Sequence, residues 1–138
     1  MNRVDFHHQF KTKGPIILPV IHVLDADQTS RNIDHLIKAN IPGCFLINHD
    51  FDVETFLPIL KTIRADFPSY WIGLNFLAVT GKTAFPILAE LQDEGYHFNA
   101  YWADDARIDE RVSPQIEADE IAKIKQSCGW KGLYFGGT

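Results

Sequence analysis

A step of 27 residues runs through this chain. Short apolar segments open at Ile16 in PIILPVIHVL, Gly43 in GCFLINHD, Tyr70 in YWIGLNFLA and His97 in HFNAYWADD. A fifth, GLYFGGT, opens at Gly132 after a longer insert. Each is strand-length and rich in β-branched or aromatic residues, as strands buried on both faces are. Amphipathic patterns fill the intervals. Ile33, Leu36, Ile37 and Ile41 form one helical stripe, and Val53, Phe56, Leu57 and Leu60 form a second with Asp52 placed to cap it. Phe85, Leu88 and Leu91 form a third, stopped by Gly95. A fourth is expected to open at Ser113-Pro114 and to run through Ile121 to Gly129. TFLPIL and TAFPIL repeat each other: Thr55 and Thr83 read as caps that put Pro58 and Pro86 early in their helices. The strands before them carry Asn48 and Asn75 at matching places.

Strands alternating with helices predict an α/β fold with a parallel sheet. Right-handed crossovers leave two solutions. One is an open, flavodoxin-like sheet with helices on both faces. The other is part of a (β/α)₈ barrel with every helix outside. A full barrel takes roughly 250 residues for eight units, so the period favours a (βα)₄β partial TIM barrel, a little over half a ring. Residues 1–13 read as a polar N-terminal arm and residues 14–138 as the partial barrel domain. Such a half-barrel lacks the far wall of its apolar interior. A second copy closing the ring, a sheet that covers itself, or a longer gene product would supply the cover. The first of these makes the chain a homo-oligomer.

Charge narrows the partners. Thirteen Lys+Arg against eighteen Asp+Glu give a net charge of -5, which argues against nucleic acid. The apolar runs are too short to span a bilayer, and Asp5, His7 and His8 stand where a signal peptide would be apolar. Cys44 and Cys128 follow no metal or redox spacing. The expected setting is the cytoplasm, and the expected partner a small molecule.

Parallel α/β folds bind ligands at the C-terminal ends of their strands. In order, those ends carry His22 and Asp25; Asn48, His49 and Asp50; Asn75; Tyr101, Asp104 and Asp105; then Gly136, Gly137 and Thr138. Three chemistries fit. His22, His49 and Asp104 would make a His₂-carboxylate set for a divalent metal. His22 or His49 would exchange a proton, oriented by Asp25 or Asp50. Gly136 and Gly137 would offer backbone N–H groups to an anion. Asp104 and Asp105 are the preferred catalytic carboxylates, and Asn48, Asn75, Tyr101, Gly136 and Gly137 the ligand-binding candidates. VTGKTA is no phosphate-binding P-loop, because Phe76 stands where the first glycine is needed. Lys82 there reads as an exposed loop residue and Thr83 as the cap of the next helix.

Several of these segments resemble one family. GLNFL at residues 73–77 is similar to the GVNVL-type third strand of the BtpA/SgcQ family of phosphoribosylanthranilate-isomerase-like barrels. PIILPVIHVL resembles that family's first strand, which ends in a similar His. FLINHDF sits where the family carries an Asn-containing second strand. ADDARIDER followed by GWKGLYFGG resembles a divergent branch. The resemblance covers residues 14–138. It implies a TIM barrel, with links to photosystem I assembly and to a nucleosidase activity, and it marks His22, Asn48 and Asn75 as pocket residues. The family's glycine-rich loop after strand 4 is replaced here by residues 101–105.

Overall fold

The computed structural model describes residues 3–136. Five parallel strands form one open sheet in the order β1-β2-β3-β4-β5: β1 (Val20–Val23), β2 (Gly43–Asn48), β3 (Trp71–Phe76), β4 (Ala100–Ala103) and β5 (Leu133–Gly136). Crossovers run through α2 (Ala26–Lys38), α3 (Val53–Asp66), α4 (Gly81–Asp93) and α5 (Ile116–Cys128). Spatial order that follows chain order is the winding of a barrel. A flavodoxin-like sheet would reverse direction partway across.

Alternation along the strands separates two faces. Ile21, Val23, Cys44, Leu46, Ile72, Leu74, Phe76, Tyr101 and Ala103 pack into one large core with Ile33, Phe56, Leu60, Ile63, Phe85, Leu88 and Ile121 of the four crossover helices. Phe45, Trp71 and Ala100 form a second cluster with Phe10, Leu18, Trp102, Leu133 and Phe135. The crossover helices contribute nothing to that second cluster. All four therefore lie on one side, and the other side is the inner wall of a partial barrel.

The inner wall is not bare. Residues within the arm form α1 (Arg3–Gln9). Phe6 meets Phe135 at 6.0 Å between ring centroids, and Phe10 meets Trp71 at 5.3 Å. Trp71 Nε1 donates to Gln9 Oε1. The sheet covers itself in part with the start of its own chain. The arm is thus more than polar: two aromatic rings are its attachment. At the centre of the same wall, Gly73 lies so close to Phe45 that a Cβ on it would come within 2.3 Å of the ring. Only glycine permits that approach.

Helix ends correct several expectations. Asp52 caps α3, its carboxylate accepting from Thr55 N at 2.9 Å. Thr80, not Thr83, stands at the N-cap of α4. Pro58 and Pro86 are thus each six residues past their caps and lie inside their helices. Both are exposed, so the carbonyls they leave without a helical partner belong to the solvent side. Lys82 is in the first turn of α4 rather than a loop. Its Nζ bridges Glu117 and Glu120 of α5 at 2.9 Å each, which holds its pKa above the usual range. The last crossover helix starts at Ile116, two residues after Ser113-Pro114. Among the described residues, no helix is long and apolar enough to cross a membrane.

Candidate functional site

The C-terminal ends of β1, β2 and β3 set three side chains in one row. His22 registers with Ile47, and Ile47 with Asn75. By alternation all three face the inner wall. With strands about 4.8 Å apart, His22 and Asn75 flank a span of roughly 10 Å.

The two ends of this row differ in character. At β1, His22 is exposed and stacks on the exposed ring of His49, with centroids 4.5 Å apart and planes at 30°. At β3, Asn75 is wholly buried. Its Nδ2 donates to Asp104 Oδ1 at 2.9 Å, and its Oδ1 has no partner among the described residues. Asp104 itself is exposed. The row therefore carries two exposed imidazoles at one end and, across an apolar gap, an exposed carboxylate held by a buried amide whose own oxygen has no partner among the described residues.

A cleft of about 330 Å³ adjoins Asp104, lined by Leu77, Ala78, Val79, Thr80, Asp104, Asp105 and Arg107. Two of these residues, Ala78 (φ 60°) and Arg107 (φ 55°), are left-handed without being glycine. Such backbone is costly for a residue with a Cβ and is found where surrounding structure enforces it. Here one lies in the loop after β3 and one in the loop after β4, on either side of the same cleft.

Several candidates have other occupations. Asn48 and Asn75 do not match, because β2 and β3 pair one residue out of step: Ile47, not Asn48, faces Asn75. Asn48 points to the helical side, its Nδ2 donating to Phe51 O at 2.7 Å and its Oδ1 accepting from Leu77 N at 3.0 Å. It ties the loops after β2 and β3 together. Tyr101 is fully buried against α4, its hydroxyl donating to Val79 O at 2.6 Å, and burial drives its pKa up. It packs in the core on the helical side of the sheet. Asp25 caps α2 by accepting from Gln28 N at 2.7 Å, and Asp105 accepts from Arg107 N at 2.7 Å and shapes its own loop. Gly136 packs tightly on Ala106, while Gly137 and Thr138 lie outside the described residues. His22 and His49 come together, but Asp104 does not complete a metal set with them: no group of three His, Cys, Asp or Glu fit to hold an ion occurs among the described residues.

Four residues at this end are not marked by the sequence. Trp102 alternates onto the inner wall, and its parity was readable only once the register of β4 was known. Ala78 and Thr80 looked like loop filler. Arg107 lies among acids and bases that alternate from Asp104 to Arg111, a pattern typical of solvated surface.

These features define a class: a parallel (β/α) half-barrel with polar groups gathered at the C-terminal strand ends. Among solved structures, the chain is similar to a mandelate racemase/muconate lactonizing protein from Herpetosiphon aurantiacus, with a TM-score of 0.53 and 14% identity over 90% of this chain. At that identity the likeness establishes the fold alone. The chain spans 48% of that structure's length, in keeping with a partial barrel. Neither a protein-family model nor a curated protein sequence matches it.

Proposed function

We propose that this half-barrel binds a small polar molecule, nucleoside-like or phosphosugar-like, at its C-terminal strand ends, and acts on it by hydrolysis or isomerisation. His22 and His49 exchange the proton. Asn75 and Asp104 anchor the ligand across the row. The observation carrying this reading is the wholly buried Asn75, with one end of its amide on Asp104 and the other without a partner. A buried acceptor left open costs about 1–3 kcal/mol, and a donor on a ligand would recover it. The likeness of the first three strands to the BtpA/SgcQ family belongs to this reading. The test is a nucleoside and sugar-phosphate panel followed by NMR on side-chain amides. Saturable shifts at Asn75 that vanish in Asp104→Asn support it. A panel that leaves Asn75 unmoved, with turnover unchanged in His22→Ala, refutes it.

A second reading concerns assembly. β1 is an edge strand, and Ile17, Val20 and Leu24 beside it are 68%, 42% and 60% exposed. Apolar edges invite another strand, so two copies would pair through β1. Native mass spectrometry decides this: a strict monomer at micromolar concentration rules the pairing out, and a dimer lost in Val20→Lys supports it.

A further inference from the structure

The opposite end of the sheet, where the strands begin, holds two adjoining clefts of about 470 and 270 Å³. They share Ser69, Tyr70, His97 and Asn99. Lys11 and Lys131 line the larger, and Arg64 the smaller. Among the described residues, no Asp or Glu lines either one. None of Lys11, Arg64, His97 or Lys131 takes part in an ion pair among the described residues.

Arg64 explains part of this arrangement. It is 6% exposed, and Nη1 donates to Phe67 O at 3.0 Å, Pro68 O at 3.4 Å and Tyr70 O at 2.8 Å. Its guanidinium thereby answers the carbonyl end of α3. His97 and Lys131 have no such answer. His97 is pushed below the usual imidazole value by burial, then by Arg64 and Lys131. Arg64 reaches it from α3, Lys131 from the turn before β5, and Lys11 shares its cleft from beyond α1. Like charges gathered in a concave site with no acid raise the local concentration of anions.

Hydrogen-bonding polarity agrees. Asn99 Oδ1 accepts from Ile72 N at 2.9 Å and from Arg64 Nη2 at 3.3 Å. The backbone N–H fixes the amide's orientation, so Asn99 presents its Nδ2, a donor, to the clefts it lines. Tyr70 OH donates to Ile41 O at 2.9 Å and braces the rim. Phe10, Trp71 and Leu133 give the larger cleft an apolar flank.

We propose that this cleft binds a small phosphorylated molecule, its phosphate held by Lys11, His97 and Lys131 with Asn99 Nδ2 as a hydrogen-bond donor, and its body lying along Phe10 and Trp71. The site is at the far end of the sheet from His22 and Asp104 and does not depend on the reading given for them.

The probe is inorganic phosphate, titrated into the isotope-labelled chain near pH 7 with sodium chloride holding ionic strength constant. The expected result is a saturable shift of the His97 ring and Asn99 amide signals, and a rise in the pH midpoint of His97. Lys131→Gln and Lys11→Gln replace exposed side chains and keep the fold. Each is expected to weaken binding about tenfold, the scale of one charge-assisted contact. Lys38→Gln, on α2, leaves it unchanged. Shifts that never saturate, that chloride reproduces, or that survive both cleft substitutions overturn the proposal.

Discussion

Asn75 Nδ2 donates to Asp104 Oδ1 over 2.9 Å, joining a wholly buried amide on β3 to an exposed carboxylate after β4. This bond links the ends of two neighbouring strands and fixes the orientation of the amide.

Removing it has a predictable effect. Asn75→Ala leaves a small cavity and deprives Asp104 of its donor, for an expected loss of about 1–3 kcal/mol. Asn75→Asp is expected to cost more, because it buries a second carboxylate against the first. Urea unfolding at neutral pH measures both. Equal midpoints for Asn75→Asp and the parent chain would contradict this arrangement.

Gly73 and Phe45 make a second test. A Cβ on Gly73 would sit 2.3 Å from Phe45 Cε1. Gly73→Ala is expected to destabilise by about 1–3 kcal/mol through overpacking. Phe45→Leu in the same chain should return part of the loss, and a double-mutant cycle reads the coupling.

The rings that attach α1 can be removed without touching the sheet. Phe6→Ala with Phe10→Ala is expected to uncover Trp71 and Phe135, with red-shifted tryptophan emission and stronger binding of a hydrophobic dye. Unchanged emission would mean that α1 does not rest on this wall.

Alkaline stability follows from Cys44. Burial pushes its thiol from 9.0 up to about 12. Its folded pKa lies above the unfolded one, so the unfolded chain releases a proton that the native state keeps. The contribution is complete below pH 9.0 and lost as pH rises past it, at about 1.4 kcal/mol per pH unit. Cys44→Ala should flatten the fall in unfolding free energy between about pH 9 and 10 relative to the parent chain. At neutral pH Cys128, which is half-buried, should react with a thiol reagent before Cys44.

The alternation of strands and helices was readable because Phe45, Leu46, Ile72 and Leu74 belong to apolar runs of strand length, rich in β-branched and aromatic residues, that suit a strand buried on both sides. The winding was readable from the constant step between them. What a single chain does not display is register. Asn48 and Asn75 look equivalent in sequence, yet a one-residue offset between β2 and β3 sends them to opposite faces. The face that Tyr101 takes is hidden in the sequence for the same reason. The stacking of His22 on His49 depends on a loop path that no periodicity encodes. Helix α1 is seven residues long, too short to show a stripe, so Phe6 and Phe10 passed as part of an arm.

In a closed ring of strands, side chains from the facing wall would interleave with Trp71 and Phe135 in the bore. Phe6 and Phe10 already occupy that room. A facing wall would have to evict them or be shaped around them, so the segment from Phe6 to Phe10 is seated where closure of the ring would need room.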